Sequence, residues 1–247
     1  PLEQHQIHGC ECGTLAAVRL AKYLARCGVA SRRASEQLVR AGRVQVAGET
    51  VTDPARRVEQ GVEVTVDGRP VRPEPLEVWV LNKPRGVVST ARDPQGRLTV
   101  VDLVPSPRRL YPVGRLDADS TGLLVLTNDG ELAARLMHPR YGVERVYRVR
   151  VVPPRVDRSF AERLERGVRL DDGPARALRA RVVGHGELEI VMGEGRKREV
   201  RRMLDAVGRR VVELERIRIG PLDLAALGLG RGRARRLGER EIALLKR

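Results

Sequence analysis

The spacing of apolar residues along the 247-residue chain changes several times, and each change marks an element. Leu20, Leu24 and Cys27 recur at helical spacing with Gly28 as a stop; Ser31 then caps a second helix carrying Ala34, Leu38 and Ala41, which Gly42 ends. Val44, Val46 and Val51 around Ala47-Gly48, followed by Val62, Val64 and Val66, alternate as small strands. Residues 69–77, RPVRPEPLE, hold three prolines and no apolar period, the mark of a semi-rigid linker. Val78, Val80 and Leu81 form the next strand, running into Lys83-Pro84, where Gly86 permits a tight turn.

Leu123 to Leu126 is an apolar run too short for a helix, bounded by Gly122 and Asn128, and reads as a buried strand. The polar loop before it carries Asp117 and Asp119, on the kind of scaffold-mounted loop where catalytic groups concentrate. The residues alone also allow these aspartates to be turn caps. Asp129 caps a helix through Leu132, Leu136 and Met137 that stops before Pro139. Residues 143–152 alternate as a strand with Arg145 and Tyr147 on one face; 157–166 form a helix, and 179–192 a hairpin about Gly184-His185-Gly186. GRKREVRR, 195–202, opens a helix with Val200, Met203, Leu204 and Val207 on its apolar face. Arg198, Arg202 and Arg209 then project away from that face. Arg201 lies at its edge, placed either for a cleft or for an i,i+4 pair with Asp205.

Composition narrows the partner. Forty-seven Lys and Arg against 32 Asp and Glu leave +15, which favours a polyanion. Only Lys22, Lys83, Lys197 and Lys246 are lysines, so the charge is mostly guanidinium, suited to phosphate. No apolar run approaches the ~18 residues of a membrane span and no signal-peptide pattern opens the chain, so nucleic acid is preferred to membrane. Cys10, Cys12 and Cys27 lack a framework spacing, consistent with a reducing cytoplasm. Residues 1–17 read as a disordered extension, and the crowded His5, His8, Cys10 and Cys12 are not assigned a metal. The tail from Gly228, with seven basic and two acidic residues, reads as a phosphate-binding or disordered end. No glycine-rich loop joins a strand to a helix as a methyltransferase would need, and no acidic or histidine cluster suits a metal nuclease.

ASRRASEQLVRAGRVQVAG resembles the small RNA-binding module first described in a small-subunit ribosomal protein. That resemblance implies that Lys22, Arg32, Arg33, Arg40 and Arg43 face RNA; a merely solvated basic helix is the alternative. LNKPRGVVST, VGRLDADSTGLLVLTNDGELAARLMHP, VERVYRVRV and EGRKREVRRML followed by ELERIRIGPL resemble the RsuA/RluB type of ribosomal RNA pseudouridine synthase, in order over residues 18 to about 225. The resemblance implies an α+β chain. An ααβ-type module (18–68) and the linker (69–77) would precede a catalytic domain (78–247) built on a mixed, largely antiparallel sheet with flanking helices.

By the same resemblance Asp117 is the catalytic aspartate, Tyr147 stacks on the target uracil and Arg201 pairs with the aspartate. Lys83, Pro84 and Gly86 match a turn near the site, and Lys83, Gly86, Arg115, Arg196 and Arg198 are implied RNA contacts. Arg145 stands where many members carry Lys, and GLGRGRARRLGERE follows the family's C-terminal pattern only loosely. No cofactor is implied; the partner is ribosomal RNA or its precursor, with the RLMHP and DGPA segments leaning towards the large subunit, and the protein is expected to be monomeric. Whether the carboxylate acts as nucleophile or removes the ribose 2′ proton stays open. The rival is a non-catalytic, ribosome-associated RNA-binding protein, against which Asp117, Tyr147 and Arg201 in their matching segments weigh.

Overall fold

The computed structural model describes residues 17–246, and the chain divides into two compact units between Pro75 and Leu76. The expectations for the N-terminal extension, and for His5, His8, Cys10 and Cys12, lie outside the described residues. The first unit runs β1 (Val18–Arg19), α1 (Leu20–Arg26), α2 (Arg32–Arg40), β2 (Val44–Val46), β3 (Glu49–Val51), β4 (Arg57–Val58), β5 (Val64–Val66) and β6 (Arg69–Pro70). A strand therefore precedes the two helices, because Val18 pairs with Val58 of β4. Ser31 Oγ accepts the Ala34 N–H at 3.2 Å and starts α2 as expected. The fully buried positions of α2 are Ser35 and Val39; of Ala34, Leu38 and Ala41, Leu38 packs against the same core from a half-buried position. Both sets have the same i,i+4 spacing, and the helix turns the one with the small serine and the compact valine towards α1 and the core of Leu20, Leu24, Val44, Val46 and Val64.

The proline-rich stretch does not start as a linker. Arg69 and Pro70 form the edge strand β6 beside β5, where a proline costs no ladder hydrogen bond. Val71 N–H donates to the Val64 carbonyl at 2.9 Å, and Glu74 N–H to that of Arg26 at 2.9 Å. At the other end, Glu77 is buried in the second unit, its carboxylate taking hydrogen bonds from Trp79, Ser106 and Arg108.

The second unit contains β7 (Val78–Lys83), β8 (Tyr111–Pro112), β9 (Thr121–Thr127), α3 (Gly130–Met137), β10 (Arg145–Val152), α4 (Arg158–Arg166), β11 (Val168–Leu170), β12 (Gly173–Ala175), β13 (Arg179–Gly184), β14 (Glu187–Met192), α5 (Glu199–Ala206), β15 (Arg210–Ile219), β16 (Leu222–Asp223), β17 (Ala234–Arg236) and α6 (Glu239–Leu245). Its nine-stranded sheet has the order β13-β14-β10-β15-β9-β7-β17, with β16 on β15 and β8 on β9. Only β9 and β15 pair in parallel, so the sheet is mixed and largely antiparallel.

The Leu123–Leu126 run is continuous because both faces of β9 are covered. Leu124 and Leu126 join the core formed with α4 and α5, while Leu123 and Val125 join that formed with α3 and α6. The C-terminal stretch is ordered, which removes the disordered alternative for the basic end: β17 pairs with β7, and Arg235 holds Glu241 at 2.7 Å. No helix among the described residues is long and apolar enough to cross a membrane.

Candidate active site

The loop 114–120 sits at the start of β9, where Gly122 lies against Arg216 of β15. Gly122 has φ +102°, and a Cβ there would come within 2.3 Å of the Arg216 carbonyl oxygen, so only glycine lets the two strands meet directly after the loop. Buried Leu116 anchors the loop's other side, its N–H and carbonyl both bonded to Ser89 Oγ, at 3.1 and 2.7 Å.

Lys83 holds the loop from beneath. It is fully buried at the end of β7, and its Nζ donates to the carbonyls of Ser120 (2.8 Å), Asp117 (3.0 Å), Pro84 (3.1 Å) and Ala118 (3.4 Å). The expectation of an RNA contact is thereby corrected: the amine spends its donors on the loop and cannot meet a phosphate. Burial lowers its pKa to about 8, against the pull of Asp119 and Asp117. Gly86, at φ +88°, adds an N–H to the Ala118 carbonyl at 2.7 Å, so it too braces the loop.

Arg201 approaches from α5. It is 6% exposed; its Nη2 reaches Asp119 Oδ2 at 3.2 Å and Ser120 Oγ at 3.1 Å, and its Nε lies 3.8 Å from Asp117 Oδ2. These partners belong to the loop, which decides between the two readings of Arg201 in favour of the cleft. Burial lowers its pKa and the Asp119 carboxylate opposes that shift.

Arg198 corrects another expectation. The helix begins at Glu199, and Arg198 precedes it with φ +50°, a left-handed conformation that no helical projection captures. Its Nη1 therefore turns towards the loop, 3.5 Å from both Asp117 Oδ2 and Asp119 Oδ1. Tyr147, 8% exposed, shares the cleft with Asp117, Arg115, Ser120, Arg198 and Leu214. A register shift beside Val146 sets Tyr147 opposite Arg216, a bulge of the kind that re-aims a side chain next to a site.

Asp117, Tyr147, Arg201, Arg198 and exposed Arg115 are thus brought together. Arg196 lines the same cleft and is held there by Glu199 (3.1 Å), Asp172 (3.1 Å), Glu194 (3.1 Å) and the Pro174 carbonyl (2.6 Å). Arg202, expected in solvent, donates to Asp172 at 2.9 Å. Lys22, Arg32, Arg33, Arg40 and Arg43 lie in the first unit; Arg43 is paired there with Asp67 at 2.5 Å, and Arg32, Arg33 and Arg40 are exposed. Sequence reasoning missed Arg216, 2% exposed and donating from Nε to the Leu123 carbonyl at 2.8 Å. The signal was present: Leu214 and Arg216 share the inward face of an alternating strand. Among the described residues no group of three or more His, Cys, Asp or Glu could hold a metal ion.

A family model for RNA pseudouridylate synthase matches residues 77–206, and one for the S4 domain matches residues 18–64. The chain belongs to the RNA pseudouridylate synthase family. This synthase is 40% identical over 237 residues to the ribosomal large subunit pseudouridine synthase B of Bacillus subtilis, covering 92% of this chain and 95% of that protein. It is 44% identical to an uncharacterized RNA pseudouridine synthase of Aquifex aeolicus, over 90% and 92% of the two chains. A crystal structure of a pseudouridylate synthase superposes with a TM-score of 0.67 at 29% identity, covering 92% of this synthase and 99% of that chain. The S4 match falls on the first unit and the synthase match on the cleft-bearing unit, from Glu77 to the last turn of α5.

Proposed function

We propose that this synthase converts a specific uridine of large-subunit ribosomal RNA to pseudouridine in the cytoplasm, without a cofactor and with Asp117 as the essential aspartate. The observation that carries the reading is a carboxylate held beside two guanidinium groups yet open to the cleft it shares with Tyr147. Arg198 Nη1 lies 3.5 Å and Arg201 Nε 3.8 Å from its Oδ2, and the side chain is still 30% exposed.

The reaction breaks the carbon–nitrogen glycosidic bond, turns the uracil while it is bound, and joins its carbon 5 to the ribose. Asp117 serves as nucleophile or as base for the ribose 2′ proton. Arg201 supplies a fixed positive partner, and Lys83 and Gly86 hold the loop that carries the carboxylate, so orientation is set before the RNA arrives. The Tyr147 ring offers a flat surface to a uracil that has left its stack. The name of the Bacillus subtilis relative supports the choice of large-subunit RNA.

The test is incubation of the purified chain with unmodified transcripts of large- and small-subunit ribosomal RNA, followed by pseudouridine mapping. One new pseudouridine in the large-subunit transcript is expected. Modification confined to the small-subunit transcript would overturn the substrate, and none in either would overturn the reading.

A further inference from the structure

Six aromatic residues occur in the chain, and Tyr141 is the one whose ring is exposed. It follows α3 in the segment Met137–Gly142, six consecutive exposed residues. Two guanidinium groups attend the ring: Arg140 Cζ lies 4.5 Å and Arg135 Cζ 5.0 Å from its centroid. The His138 ring meets it edge-on at 6.4 Å. Arg140 also donates to the Tyr141 hydroxyl, and its backbone N–H donates to His138 Nδ1 at 3.2 Å, so the group is locally organised. No acidic residue occurs from Ala134 to Val143.

The patch is tied to the cleft on two sides. Gly114 N–H, at the head of the aspartate loop, lies 3.1 Å from Met137 Sδ. Arg145, two residues before Tyr147, donates from Nη2 to the Leu136 carbonyl at 2.7 Å. The end of α3 that leads into Tyr141 is thereby fastened to the head of the aspartate loop and to the strand that carries Tyr147.

We propose that Arg135, His138, Arg140 and Tyr141 form an auxiliary RNA subsite that receives nucleotides flanking the target uridine. The flat guanidinium–tyrosine stack takes a base, and the Arg140 charge takes the adjoining phosphate. A ring with a π-face and no shaped pocket stacks any base, so the subsite contributes affinity and register rather than sequence choice. A protein partner fits less well, because beside the ring only Met137 adds exposed apolar surface and the rest of the patch is cationic, which leaves little to bury. The proposal rests on the reading that the substrate is RNA.

The test uses the full chain and two readouts: affinity for a fluorescein-labelled ten-nucleotide oligouridylate, and steady-state turnover on a ribosomal RNA transcript. Tyr141→Ala is expected to weaken oligouridylate binding and raise KM by about tenfold, with kcat and melting temperature unchanged. Tyr141→Phe, which keeps the ring, should restore both. Arg140→Ala should reduce the salt slope of binding by about one. Unchanged affinity for Tyr141→Ala, or a loss that Tyr141→Phe does not rescue, would overturn the subsite. If the wild-type chain binds oligouridylate but makes no pseudouridine, the functional reading fails while the affinity comparison still decides the subsite.

Discussion

Arg32, Arg33 and Arg40 on α2 of the first unit are exposed and make no ion pair among the described residues. Arg196, Arg201 and Arg202 on and before α5 of the second unit carry the same chemical group in a similarly dense basic run. There, however, carboxylates and carbonyls engage them, and Arg201 is nearly inaccessible. Basic residues in this protein thus do two jobs that composition cannot separate. An unpaired surface guanidinium is available to phosphate, whereas one already holding a carboxylate fixes geometry.

Arg201→Ala tests the geometric side most severely. Its removal leaves the Asp119 carboxylate and Ser120 hydroxyl without their buried partner and Asp117 without one of its two nearby cations. Turnover is expected to fall on the order of a hundredfold or more, the scale of losing a preorganised charged donor. Arg202→Ala, which frees only Asp172 at the surface, should cost no more than about threefold. Equal losses for both, measured as kcat at saturating RNA, would merge the two classes.

Lys83 gives a pH test whose two readouts run in opposite directions. Burial brings its folded-state pKa from 10.5 to about 8. The folded chain therefore carries a penalty for the charged amine that is full below about 8 and is relieved between about 8 and 10.5, so this group's contribution to stability rises with pH. Activity should fall over the same window, because a neutral amine has one fewer N–H for the loop carbonyls. Expected is an alkaline decline of kcat near pH 8 without loss of urea stability, absent in Lys83→Met. A decline that persists in Lys83→Met would assign it to another group.

The smallest effect belongs to the exposed class. Arg32→Ala and Arg33→Ala should each lower the slope of log affinity against log salt by about one and leave kcat unchanged at saturating RNA. A changed kcat, read from full saturation curves at two salt concentrations, would place these residues with the geometric set.

Local rules carried the reading where neighbours in sequence decide the structure. Asp129 caps α3 through Glu131 and Leu132 N–H groups, and the Leu123–Leu126 run forms β9, an interior strand directly after the aspartate loop. They failed where partners are distant. Lys83 reads as a surface cation until Asp117, Ala118 and Ser120 place three distant carbonyls around it, and β17 is a strand only because β7, some 150 residues earlier, offers an edge. Arg198 was misdirected for a different reason: a left-handed residue before a helix breaks the 100° projection from which its direction was read. Cleft membership of Asp117, Tyr147 and Arg201 was available from family resemblance, and no periodicity would have supplied it.

On the proposed function, Asp117 reacts while its surroundings hold it in place. Single-turnover pseudouridine formation and RNA affinity, measured together for Asp117→Asn and Asp119→Asn, test it most directly. Asp117→Asn keeps the side-chain volume and removes the carboxylate, so it should bind RNA within about twofold of wild type and form no detectable pseudouridine. Asp119→Asn, which loses only a partner of Arg201 and Arg198, should react slowly but to completion. Pseudouridine formation by Asp117→Asn, with none by Asp119→Asn, would contradict the account and move the chemistry to Asp119.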